Sequence, residues 1–140
     1  MTTPRGIKYN MFMEKTARLT IRERENGEPV LVTVGKVARI GNSINLTYGD
    51  AATAFVIGIS DGMVSVTRQG EEDYSLVLCE GKEYAFDISS PYGDIPMRVI
   101  PKLVDFTETD KGLSVRLAYD LAGGDEKQSF GLFLDCVYED

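Results

Sequence analysis

Alternation with a period of two runs through almost the whole chain. Leu113, Val115, Leu117, Tyr119 and Leu121 alternate with Ser114, Arg116, Ala118 and Asp120. Successive side chains on a strand point to opposite faces, so this pattern predicts a half-buried β-strand. Phe130, Leu132, Leu134, Cys136 and Tyr138 form a second ladder, opposed by the mixed face Gly131, Phe133, Asp135 and Val137. Shorter ladders recur at Ala17, Leu19 and Ile21, at Phe55, Ile57 and Ile59, and at Tyr84, Phe86 and Ile88. A chain patterned this way buries its apolar faces in sheets, not helices.

Turn signals punctuate the ladders at short intervals. They include Asn26-Gly27, Gly41-Asn42, Asp61-Gly62, Gly81, Lys111-Gly112 and Gly123-Gly124. Asn-Gly and Asp-Gly readily supply the positive φ of tight hairpin turns. The spacing predicts strands at 16–24, 30–40, 43–49, 53–59, 63–69, 74–79, 83–89, 95–107, 113–121 and 128–138. Gly35 interrupts the second run. Pro101 interrupts the eighth, where a missing N–H predicts a bulge or an edge. No segment beyond residue 16 has the 3.6-residue period of an amphipathic helix. Residues 1–15 are read as an N-terminal arm and 16–140 as one domain. About ten antiparallel strands in a small domain favour curling and closure, which removes exposed edges. The expected fold is therefore all-β, an antiparallel meander β-barrel, with a two-layer sandwich as the alternative.

The 140 residues suit one compact domain, and 43% hydrophobic with 26% charged residues is ordinary for a globular chain. There is no His and no Trp. The missing His excludes Ser-His-Asp and Cys-His nucleophiles, His-ligated zinc and a His general base from this chain alone. The net charge of −7 opposes a chain-wide phosphate-binding surface. No apolar run reaches the length of a membrane-spanning helix, and residues 1–10 lack a signal-peptide core. The cysteines, Cys79 and Cys136, are too far apart in sequence for a Cys-x-x-Cys site and sit in apolar runs. They read as buried thiols, with a disulfide as the lesser alternative. These features give a cytoplasmic protein as the default, without membrane or nucleic-acid partners.

Three ordered segments carry a family resemblance. They are Asn45-Leu-Thr-Tyr-Gly49, then Asp61-Gly-Met-Val-Ser-Val-Thr-Arg-Gln-Gly70, then Ser90-Pro-Tyr-Gly93 leading to Leu117-Ala-Tyr-Asp-Leu121. Their order and spacing, over roughly residues 16 to 138, resemble the YwiB-like family of small bacterial proteins of unknown function. The resemblance implies a calycin-like β-barrel, the architecture of lipocalins and fatty-acid-binding proteins, and no established activity. By it, Tyr48 matches the tyrosine ending the third strand, Arg68 and Gly70 an Arg-x-Gly turn entry, Pro91-Tyr92-Gly93 a Pro-Tyr-Gly loop, and Tyr119 and Asp120 a Tyr-Asp-Leu strand. This chain departs from the pattern in a shortened Tyr48–Ala52 connection and in lacking the lipocalin Gly-x-Trp signature.

Candidate ligand-binding residues follow from parity. Arg68 shares a face with Val64 and Val66, so it either clamps a carboxylate inside the barrel or sits at the rim with its head in water. Tyr92, in the Pro-Tyr-Gly loop, is a candidate lid or ligand contact. Arg98 is out of step with Met97 and Val99, but the flanking prolines disturb parity, and it is a candidate cavity-lining cation. Tyr48, Tyr84 and Tyr119 lie on apolar faces, where a ring packs and a hydroxyl seeks a partner. Glu71-Glu72-Asp73 lacks calcium-loop spacing, and Gly123-Gly124-Asp125 is a turn and not a phosphate loop. Arg18, Arg22 and Arg24 form a basic stripe on the first strand, extended by Arg39, and read as a salt-bridged surface. Together these residues predict a non-catalytic barrel that binds a small, partly apolar or amphipathic ligand inside it. Arg68, Tyr92, Arg98, Tyr48 and Tyr119 are its contacts, with no metal and no cofactor. The alternative is an interaction or self-assembly module, such as a homodimer, with a side-chain-filled core. An enzyme without His would need a Tyr, Arg or carboxylate acid–base pair, with Asp87, Asp120 or Asp135 as candidates, and Asp120 is expected to face solvent.

Overall fold

A computed structural model describes residues 12–139. It contains ten antiparallel strands. They are β1 (Phe12–Arg22), β2 (Pro29–Ile40), β3 (Ser43–Gly49), β4 (Ala54–Ser60) and β5 (Met63–Gln69), followed by β6 (Tyr74–Cys79), β7 (Tyr84–Ser90), β8 (Gly93–Thr109), β9 (Gly112–Gly123) and β10 (Glu126–Glu139). The sheet order is β6-β5-β4-β3-β2-β1-β10-β9-β8-β7. It is a pure meander whose first and last strands pair from Thr16↔Glu139 to Arg22↔Phe133. The two outermost strands, β6 and β7, meet through reciprocal Asp73–Ser89 backbone hydrogen bonds of 2.8 Å. The result is a nearly closed barrel, consistent with the calycin-like architecture.

Local sequence explains most boundaries. Asp61 and Gly62 both have positive φ, 48° and 79°, and make the tight turn expected between β4 and β5. Asn26-Gly27 does not. It lies in a wider connection, where the Gly27 N–H donates to the Arg24 carbonyl at 3.0 Å without positive φ. β1 starts at Phe12, ahead of the expected 16, and the rest of the expected arm, residues 1–11, lies outside the described residues. Pro101 produces the expected bulge, with the β8–β9 register shifting between Pro101 and Leu103. Gly35 does not break β2. A Cβ there would lie 2.5 Å from the Thr47 carbonyl oxygen and 2.8 Å from Leu19 Cδ1, so the glycine permits a close approach between strands.

The inward ladders meet in the interior, where Leu19, Leu46, Ile57, Ile59, Leu76, Leu78, Leu117 and Leu134 are fully buried. Burying each such side chain contributes about 1.5–3 kcal/mol relative to exposure. Cys136 is buried among them, which pushes its thiol up to about 11, while Cys79 on the outer face is half-buried; both are free thiols.

Outside, the basic stripe of β1 is salt-bridged as its pattern implied. Arg18 pairs with Glu139 at 3.6 Å and Arg22 with Asp135 at 3.1 Å. Arg39 does not extend this stripe. Its partner in the register is the buried Ile44, so it faces inward and pairs with Glu108. Asp120 also departs from expectation. It lies on the outer face but is only 5% exposed. The bulge at Pro101 brings Lys102 within 3.5 Å of its carboxylate, Lys127 lies at 3.9 Å, and Ser129 Oγ donates to it at 2.7 Å. The Ser129 hydrogen bond, aided by the two lysines, lowers its pKa.

Candidate functional site

The turns after β1, β3, β5, β7 and β9 form an upper mouth; the other turns and the described ends of β1 and β10 form a lower one. At the upper mouth a cavity of about 770 Å³ opens on the inner surface of β7–β10. Its apolar wall comes from Ile88, Ile95, Met97, Leu121 and Phe130. The register sets this wall directly. Ile88 pairs with Ile95, Phe86 with Met97, and Leu121 with Val99, so their side chains share the inward face.

Aromatic residues form the adjoining surface of this mouth. Tyr119 stacks on Phe130 with centroids 5.9 Å apart, and Tyr48 stacks on Phe55 at 5.1 Å. Tyr74 meets Phe86 at 6.2 Å in a tilted pair. Burial first, with the neighbouring Tyr74 adding to it, pushes the hydroxyls of Tyr48 and Tyr119 up to about 12. Burial also raises Tyr74, against the pull of nearby Arg68. The ladder sets Tyr48 beside Phe55, Phe55 beside Arg68, and Arg68 beside Tyr74. At neutral pH all three phenols are uncharged donors.

Arg68 lies between Phe55 and Tyr74 in the ladder, on the inward parity. Its head stops at the rim. It donates to the Glu72 carbonyl at 2.6 Å and lies 3.9 Å from the Glu72 carboxylate. The β5–β6 turn is held in turn by Asp73, which accepts from the Gly70 N–H at 2.6 Å. Among the described residues, none of the Tyr48, Tyr74 and Tyr119 hydroxyls has a hydrogen-bond partner.

The structure thus brings Arg68, Tyr48 and Tyr119 together. It does not bring Tyr92 or Arg98 to them. Tyr92 is 98% exposed at the tip of the β7–β8 turn and covers no mouth. Ser90 fixes that turn, donating from Oγ to the Gly93 carbonyl at 2.8 Å and accepting from the Tyr92 N–H at 3.2 Å. Arg98 is on the outer face, 2.8 Å from Glu83. The bulge at Pro101 lies beyond Arg98 and Pro96 stays in register, so simple parity holds at Arg98. Tyr74 is a site residue that the sequence reading passed over, although its alternation with Leu76 and Leu78 places it inward.

The lower mouth has a smaller cavity of about 330 Å³, lined by Lys15, Arg39, Glu108 and Tyr138 among others. Arg39 and Glu108 are ion-paired across it, and the Glu108 hydrogen bond raises the Arg39 pKa. Lys15 Nζ lies 4.8 Å from the Tyr138 ring centroid. The Arg39 guanidinium is thus engaged by Glu108, as that of Arg68 is by Glu72, whereas the upper mouth adds an apolar wall and phenol hydroxyls without a partner among the described residues. Among the described residues no group of three or more His, Cys, Asp or Glu is placed to hold a metal, and no helix is long and apolar enough to cross a membrane.

Among solved structures, the fold is similar to the crystal structure of the ywiB protein from Bacillus subtilis, with a TM-score of 0.77, 16% identity, and coverage of 96% of this chain and 100% of that one. At that identity the likeness establishes the fold alone. No curated protein sequence matches the chain. Residues 7–131 match the family model described as a domain of unknown function, DUF1934, and the chain belongs to that family.

Proposed function

We propose that the protein is a non-catalytic cytoplasmic binding protein that takes a small, partly apolar molecule at the upper mouth of the barrel. The observation that carries this reading is the 770 Å³ cavity with its apolar wall of Ile88, Ile95, Met97, Leu121 and Phe130, adjoining the neutral phenols. Its volume falls in the range of small-molecule sites, about 300–1,000 Å³. The wall accommodates an aliphatic or aromatic body. The donors of Tyr48, Tyr74, Tyr119 and Arg68 suit a carbonyl or carboxylate end. The fully buried leucines and isoleucines of the interior favour a ligand seated at the mouth over one deep inside. The free thiols of Cys79 and Cys136 suit a reducing compartment.

A fluorescent fatty-acid probe tests this. Ile95→Glu puts a charge in the apolar wall at a half-exposed position that tolerates it, and is expected to weaken probe binding at least about tenfold. Tyr92→Ala is expected to change nothing. Absence of probe binding by the wild-type chain, or equal binding by Ile95→Glu, refutes the reading. The self-assembly alternative has its own observation, the exposed valines of β2.

A further inference from the structure

At the lower mouth the inward ladders change character together. On β1 the inward series Ile21, Leu19, Ala17 ends in Lys15, and on β2 Val37 is followed by Arg39. On β8 Val104 and Phe106 are followed by Glu108, and on β10 Cys136 is followed by Tyr138. Four strands thus place a polar group at the same end of the barrel, around a cavity of about 330 Å³. Val37 and Ile44, both buried, give this cavity an apolar floor. Its volume lies at the small end of the range for ligand sites, about 300–1,000 Å³, and suits a compact molecule.

Four charged side chains line the cavity, two of each sign. Arg39 and Glu108 form an ion pair and neutralise one another. Lys15 and Asp110 carry opposite charges on the same cavity, yet they do not meet, and neither has another ion-pair partner among the described residues. Lys15 is half-buried, with its ammonium 4.8 Å from the Tyr138 ring centroid, which holds the head against the cavity wall and leaves its N–H donors open. The turn that carries Asp110 is fixed as well. The Lys111 N–H donates to Thr109 Oγ1 at 3.2 Å, and the Lys111 carbonyl accepts from the Tyr138 N–H at 2.8 Å. A simple anion would satisfy Lys15 and be repelled by Asp110 and Glu108. A simple cation would satisfy Asp110 and be repelled by Lys15 and Arg39. A zwitterion satisfies both unmatched charges, and the apolar floor takes an aliphatic group. An aliphatic α-amino acid is the simplest molecule with all three parts.

We propose that the lower mouth is a second binding site, independent of the upper one, for a small aliphatic zwitterion of the α-amino acid class. Its carboxylate meets Lys15, its ammonium meets Asp110, and its side chain lies on Val37 and Ile44. Isothermal titration of the full chain with L-leucine is the test, and a Kd below about 1 mM is expected. Isocaproate, which is leucine without its ammonium, and isoamylamine, which is leucine without its carboxylate, are each expected to bind at least about tenfold more weakly. Lys15→Met and Asp110→Asn each remove one of the two unmatched charges. Both are expected to keep the wild-type thermal melt and to weaken leucine binding at least about tenfold. Ile95→Glu, in the upper mouth, is expected to leave leucine binding unchanged. Absence of leucine binding up to about 10 mM overturns the proposal. So does binding that isocaproate or isoamylamine equals, or that stays unchanged in Lys15→Met or in Asp110→Asn. Loss of leucine binding in Ile95→Glu puts the amino acid at the upper mouth and overturns it as well.

Discussion

Alkaline pH is expected to destabilise the barrel through its upper mouth. Tyr48 and Tyr119 titrate near 10 when unfolded and at about 12 when folded, because burial disfavours the phenolate. A raised folded value means that the unfolded chain loses its protons first. Stability is therefore intact below pH about 10 and falls as pH climbs toward about 12. Moving one such group from 10 to about 12 corresponds to about 3 kcal/mol at the limit, and the two together to about 5 kcal/mol. That is a large part of the ~5–15 kcal/mol that holds a domain folded. The assay is urea unfolding followed by circular dichroism at stepped pH, for the wild type and the Tyr48→Phe, Tyr119→Phe double variant. Lysine deprotonation also weakens ion pairs in this range, but it is common to both proteins and cancels in their difference. The double variant keeps both rings, so it is expected to match the wild type near neutral pH and to lose far less stability above pH about 10. Tyr92→Phe, at a fully exposed position, is expected to leave the profile unchanged. If the double variant loses stability with pH as steeply as the wild type, the buried neutral phenols do not exist and the site loses its donors.

Two other perturbations probe the frame. Gly112→Ala would drive a Cβ into the Cys136 carbonyl, a backbone atom that cannot turn aside, and is expected to cost at least about 1–3 kcal/mol in urea unfolding by prising β9 from β10. Asp120→Asn removes a carboxylate held charged by Ser129, Lys102 and Lys127. Because its folded pKa is lowered, the wild type gains from this group above the ordinary carboxylate range and loses that gain as pH falls. The variant is expected to melt lower near neutral pH and to show a flatter acid limb, and an unchanged acid limb would contradict the assignment.

The strands were legible because period-two burial is a local property. Leu113 to Leu121 read alike in sequence and in space, and so did the bulge at Pro101, whose cause is one missing N–H. What sequence could not supply was placement across strands. Arg39 looked like part of a basic stripe because arginines are common outside, yet its register partner Ile44 turns it inward to Glu108. Glu108 itself lies past the expected end of its strand at 107, so its parity was not read. Parity puts Asp120 on the outer face, but its burial depends on Lys102, which only the bulge delivers. A Pro-Tyr-Gly loop suggests a lid, whereas Ser90 holds the Tyr92 turn pointing outward. For the site, parity alone placed Arg68, Tyr48 and Tyr119 inward. Their convergence required knowing that β5, β3 and β9 end at the same mouth.

Unequal strand length links the upper mouth to an open edge of β2. β3 ends at Gly49, and its pairing with β2 stops at Lys36↔Thr47, while β2 extends on to Pro29. Tyr48 therefore sits where the wall between β3 and β2 falls away, with its Cβ 3.3 Å from where Gly35 would carry one. The same shortfall leaves Leu31–Val34 with β1 as their one ladder partner among the described residues.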